Sequence, residues 1–478
     1  MTRPLVLLLL AGCTTAPADR APTLVDDTGL PSATTHTTTN ACPAPTPLPR
    51  RLRRLSHREY RHTLHDLFGV TPSTPLTADP TVDGFDNDAD ALRVSALLAD
   101  QYRVIAEQVA FEADLSPWLT CDLHTDGCAE ATLPALARSV WRRPLSSTEL
   151  DDYALLLDTL TADSSREDGL RWTLATLLQS PHFLYRTELG TPQPDGTHTL
   201  TAWERASALS YTLLGTTPDE ALLDAAADGL LDTDAGLTDH ITLLLEDPRS
   251  AEHLADLTEA WLHLGLLDTV SRVGLDDTGR AEMRADFRAR VTASTTVSDL
   301  FTDGGILLEP ALLTAHGVPE GTGPVQRGVM VRELLLCEPL PPPPSGVDTS
   351  APDVDPTQST RDRFEQHSAD PLCATCHQHI DPLGFAFEHY DQLGAWRATD
   401  QGHPIDTTGH LDGHPIDGAT ELAAALAHDP RVATCFLQTA RRWLDGTPGC
   451  TDSIQDTRLT TPFIELVNRG VLTTRAPG

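Results

Sequence analysis

The chain has 478 residues and a formal charge of −35, from 34 basic and 69 acidic residues, and every basic residue is arginine. That balance excludes a nucleic-acid binder that tracks phosphates, which needs clustered cations. No apolar run reaches the ~18–20 residues that span a bilayer as a helix, which argues against an integral membrane protein. The length suits about three domains, each able to bury a core.

At the start, Arg3, the apolar run Pro4 to Leu10 and the small residues after it have the pattern of an export signal. The run ends Leu10-Ala11-Gly12-Cys13. It resembles the lipobox of bacterial lipoproteins, and the resemblance implies cleavage before Cys13 and acylation of that cysteine. The expected location is the bacterial cell envelope, facing periplasm or exterior, with the membrane touched only through the lipid. Residues 14–49, rich in Thr, Pro, Ala and Asp, show no hydrophobic period and read as a flexible tether.

From Leu55 the pattern becomes helical. Ser56 and Glu59 form a capping box ahead of Tyr60, Leu64 and Leu67, and Gly69 stops the run. Asp83 to Asp90 fails the spacing of a calcium loop and reads as a turn with a helix N-cap. Apolar-periodic runs follow at Asp90 to Ala113, Leu133 to Trp141, Glu149 to Leu160, Gly169 to Gln179, Ala202 to Leu214, Asp239 to Leu245 and Ala251 to Leu264. Further boxes are expected at Ser146, Thr201 and Thr217, the last with Pro218 at the first helical position. Strand signals are nearly absent through residue 330.

Cys337 to Pro344 predicts extended polyproline, continuing as a linker or surface loop to Ser359. Gly402-His403-Pro404-Ile405-Asp406 recurs as Gly413-His414-Pro415-Ile416-Asp417, which suggests one hairpin turning through Gly409 to Asp412. Thr420 to Ala427 and Arg431 to Leu444 return to helix. The expected fold class is mainly α: a multidomain helical body, a cytochrome c-like haem domain and a small β-hairpin near the C-terminus. The segments are 1–12 signal, 13–49 tether, 50–115, 116–195 and 196–322 helical domains, 323–400 haem domain and 401–478 hairpin plus helices.

The strongest chemical signal is Cys373-Ala374-Thr375-Cys376-His377. Two thiols three positions apart share one side of a helical turn, where they can add to the two vinyl groups of a haem, and the next residue can reach the iron. Asp370-Pro371 would open that helix. A thioredoxin-like pair wants a βαβ setting, which is missing. A zinc site that includes His379, or a simple disulfide, uses the same atoms. For the sixth iron position the candidates are Met283, Met330, His367 or none, since His379 points to the far side of the helix from His377. Leu383-Gly384-Phe385-Ala386-Phe387 could cover a porphyrin or belong to the core.

Nine cysteines fit an oxidising compartment. Outside Cys13 and the 373/376 pair, short loop closure favours Cys121 with Cys128 and Cys435 with Cys450, leaving Cys42 for Cys337.

Residues 50–475 resemble the multidomain haem proteins of planctomycetes and myxobacteria that join a planctomycete-type cytochrome c domain to helical domains of uncharacterised function. The resemblance is carried by Arg51 to Tyr60, Gly84-Phe85-Asp86-Asn87, Trp141 to Leu145, Ser180 to Arg186, Leu336-Cys337, His367 to Leu372 and Ile380 to Phe385. It implies haem c and export, and places a histidine at His367, which puts that residue ahead of Met330 as distal ligand. The expected function is an envelope-anchored mono-haem c-type cytochrome, with Cys373 and Cys376 holding the haem and His377 as proximal ligand. A redox partner protein is expected; a glycan or protein ligand for the helical body, or an open iron site with substrate chemistry, are the other readings.

Overall fold

The computed structural model describes residues 47–477 except 83, 163, 320, 343–354, 369–370, 446–455, 469 and 471. The signal, Cys13, the tether, Cys42, Cys450, Asp370, most of the polyproline linker and the side chain of His367 lie outside what is described. The described residues fall in one compact unit.

The fold is mainly helical, with short antiparallel strand pairs between helices. The first helix, His57–Phe68, starts on the full Ser56–Glu59 capping box and ends on Gly69 in the left-handed conformation. Helices Ala96–Glu112, Cys128–Trp141, Ser147–Ala162 and Arg166–Gln179 pack with it around Tyr60, Leu64, Tyr102, Leu133, Leu174 and Phe183. A second, larger core runs from Leu209 and Trp261 through Phe301 and Leu313 to Phe436 and Phe463. The cores interlock: Tyr211 belongs to the first and Phe85 to the second, and Thr63 Oγ1 meets Tyr211 Oη at 2.8 Å. Among the described residues no helix is long and apolar enough to cross a membrane.

Several expectations change. The Arg51–Arg54 segment is a strand paired antiparallel with Tyr185–Glu188, in the register Arg53 opposite Arg186. The Thr217 box does not form. Asp219, two residues further on, caps instead, accepting from Leu222 N–H, and the helix is Glu220–Ala227, because a carboxylate is at least as good an N-cap as a hydroxyl. Of the Asp83 to Asp90 stretch, the described residues 84–90 form turns, with Asp88 accepting from Asp90 and Ala91; the following helix is capped by Ser95.

The Gly-His-Pro-Ile-Asp repeat marks two hairpins rather than the two arms of one: Thr399–Asp400 with His403–Pro404, and Thr408–Leu411 with His414–Asp417. Each repeat's glycine is the second residue of a two-residue turn, Gln401-Gly402 and Asp412-Gly413, with φ positive at all four positions. That is the turn whose twist matches paired strands.

The disulfide between Cys121 and Cys128 forms as expected. Cys435 pairs with Cys337, not Cys450, and Cys337 is therefore not available to Cys42. Short loop closure loses here because the helix Pro430–Asp445 packs on the Val331–Leu335 segment and brings the two cysteines together.

Candidate functional site

Helix Pro371–Gly384 carries Cys373, Cys376 and His377. It starts on a proline, as its sequence predicts, and follows closely on helix Thr360–Ser368, which packs against it and places the backbone of His367 just upstream. Cys373 and Cys376 are half-buried and not bridged. His379 is exposed two residues on, so the structure does not bring it to the side of His377.

The second half of this helix is clamped. It crosses helix Pro324–Met330 so closely that a Cβ on Gly384 would stand 1.9 Å from the Pro324 carbonyl oxygen, and one on Gly328 would stand 2.2 Å from that of Ile380. Only glycine fits either position, whatever its φ. Arg332 donates to the His379 carbonyl at 3.0 Å and to the carboxylates of Glu338 and Asp412 at 2.6 and 2.7 Å. Arg431 joins the same two carboxylates, so charge alternates from the Cys337–Cys435 region to the helix.

Arg327 is fully buried and donates to the carbonyls of Leu313, Phe387, Tyr390 and Asp391 at 2.7–3.3 Å. Burial lowers its pKa to about 10, with Glu388 opposing. It fixes the chain just after the helix. Phe385, Ala386 and Phe387 are buried, and Arg361 lies 4.7 Å over the Phe385 ring. Met330 is 2 % exposed within the larger core, and Met283 packs partly buried at its edge.

His377 is oriented by a residue the sequence reading left without a role. Its Nδ1 lies 2.8 Å from Asp381 Oδ1, one helical turn on. The Asp381 side chain is 7 % exposed, and its second oxygen, Oδ2, is buried without a partner. The hydrogen bond to Asp381 raises the His377 pKa, burial opposes the rise, and the carboxylate charge adds to it. A carboxylate held on one ring nitrogen is the arrangement that fixes the tautomer of a histidine whose other nitrogen ligates a metal. The i,i+4 spacing of His377 and Asp381 was the available signal. Among the described residues no three His, Cys, Asp or Glu side chains gather into a metal site of their own.

Four family models match the chain in sequence. PSD3, a protein of unknown function (DUF1587), matches residues 53–114, and PSD5 (DUF1595) matches 128–188. PSD4 (DUF1592) matches 200–314. PSCyt3 (DUF1588) matches 303–400 and contains the helix just described. The chain is similar to planctomycete-type cytochrome c-associated domain families. All four models are described as of unknown function, so the likeness gives a domain order of the kind found in multidomain planctomycete proteins, with a cytochrome-like name on the region that holds Cys373 to His377. No curated protein and no solved structure matches the chain.

Proposed function

We propose that the protein is an envelope-anchored mono-haem c-type cytochrome that transfers single electrons. The observation that carries this reading is the helix in which two unbridged half-buried thiols, one turn apart, precede a histidine whose Nδ1 is held by a buried carboxylate. The residues fit haem c. Each thiol S–H adds across one vinyl group, so two thioethers form with nothing expelled, and four equatorial nitrogens come with the porphyrin rather than from the chain. When bound, the haem supplies a one-electron couple.

The chain's own part is attachment through Cys373 and Cys376, axial ligation through His377 Nε2 and orientation by Asp381. His367 is proposed as the distal ligand, since the helix that ends at Ser368 packs on the helix of the motif. The charge of −35 suits a basic redox partner and makes its association salt-dependent. The lipid anchor at Cys13 rests on the sequence alone.

The test is a haem stain on denatured protein made with a cytochrome c maturation system, beside a Cys373→Ala/Cys376→Ala variant. Colour that survives denaturation only in the parent is the expected result. Colour in neither sinks the cytochrome reading. Carbon monoxide binding to the reduced parent would show an open sixth position and count against His367 ligation.

A further inference from the structure

Away from that helix, several segments converge on a polar cavity of about 30 Å³, partly open to solvent, with Arg53, Arg58, Arg186, Glu59, Asp86 and Tyr211 in its walls. Arg53 and Arg186 are direct cross-strand partners. Residues so paired share a face with Cβ atoms ~4.5–5.5 Å apart, and like charges there repel. Both are buried, 9 % and 6 % exposed.

Carboxylates stand near this pair, but none accepts a hydrogen bond from it. Arg186 Nε is buried with no hydrogen-bond partner; its Nη2 stands 3.5 Å from Glu59 Oε1, and the guanidinium lies 4.8 Å over the Tyr211 ring. Arg53 comes only to 3.9 Å from Glu188, whose other oxygen already accepts from Arg475 at 2.9 Å. The second oxygen of Glu59 accepts from Ser56 N–H in the capping box, and Asp86 pairs with Arg58 at 3.3 Å. Among the described residues neither the Arg53 nor the Arg186 guanidinium donates a hydrogen bond. Trp443 also lines the cavity, and its Nε1 is buried without a partner.

Buried donors without acceptors cost stability, and a guanidinium presents its N–H groups in a fork that matches two oxygens of one anion. We propose that this cavity binds an oxyanion, a carboxylate or phosphate group, between Arg53 and Arg186 with Trp443 Nε1 as a third donor. The carboxylates in the wall do not serve in its place, because each is already engaged elsewhere. The volume admits the charged head of a ligand, whose remainder lies in the opening.

The test uses the full chain, equilibrated in chloride buffer and titrated calorimetrically at constant ionic strength with sodium phosphate and, separately, with sodium acetate. Saturable one-to-one binding of at least one is expected, and the tighter of the two names the source. Arg186→Gln should weaken it at least about tenfold. Where Arg186→Gln does not fold by circular dichroism, Trp443→Phe decides, since it keeps a ring against His253, now 4.7 Å away, and removes only the N–H; a loss of about threefold or more is expected there. No heat with either anion overturns the proposal, as does an affinity unchanged in the folded variant. A melting temperature of the parent indifferent to both anions also overturns it, and would mark Arg186 as a permanent partner of Glu59.

Discussion

Arg327 and the Arg53–Arg186 pair are all buried, yet the protein surrounds them differently. Arg327 has no hydrogen-bonded carboxylate and spends its guanidinium on four backbone carbonyls, whereas Arg53 and Arg186 have carboxylates 3.5–3.9 Å away and hydrogen bonds to none. Proximity of opposite charge is therefore a poor guide to whether a buried cation is satisfied. What separates the cases is donor geometry: Arg327, although its Nε is buried without a partner, ties chain segments together through both Nη groups, whereas the Nη groups of Arg53 and Arg186 make no hydrogen bond and leave a place for something else.

Substitutions can break this contrast. The largest effect is expected for Arg327→Gln, which leaves buried carbonyls without donors and should cost about 3 kcal/mol or more in denaturant unfolding; a loss below about 1 kcal/mol would remove the distinction. Glu188→Gln should come next. Burial pushes that carboxyl up, but Arg53, Arg475 and Arg186 outweigh burial and hold it at about 2. A carboxyl lowered on folding contributes stability that is complete above its ordinary value of 4.5 and is lost as pH falls toward 2. The variant should be less stable than the parent at neutral pH and lose less between pH 4.5 and 2, measured by urea unfolding across that range.

Arg186→Gln in chloride buffer should cost under about 1 kcal/mol, since relief of its repulsion with Arg53 offsets the lost Glu59 contact. A cost comparable to that of Arg327→Gln would make the two arginine environments alike. Smallest in free energy is Asp381→Asn, which keeps the shape and removes the charge facing His377. In the haem-loaded protein its midpoint potential should rise by on the order of tens of millivolts, with covalent haem retained. An unchanged potential would mean that Asp381 does not act through His377.

These two regions also differ in how far the sequence reveals them. Cys373, Cys376 and His377 are contiguous, so one helical turn dictates their relation, and the capping boxes at Ser56 and Thr201 are equally local. The arginine pair is assembled by strands more than 130 residues apart, and an arginine-rich segment such as Arg51 to Arg54 has no strand signature of its own. The Cys337–Cys435 bond is hidden for the same reason, because short loop closure carries no information about which helices meet. The repeat's strand-like residues suggest one hairpin, while the information for two lies in the residue before each glycine, Gln401 and Asp412.

The Cys337–Cys435 bond closes a ring of chain with Cys373 and Cys376 inside it. Attachment of the proposed haem would therefore have to be ordered in time. An oxidant that joins thiols by chance encounter closes the shortest loop first, and here that loop is the one whose sulfurs the proposed haem requires. Two chemistries thus compete for four sulfurs in one compartment, one of them needing its pair reduced and the other oxidised. If the proposed porphyrin is attached there, productive assembly would depend on a reductant that keeps the inner pair open until then, and the yield of folded protein should follow the redox poise of its surroundings as closely as it follows the sequence.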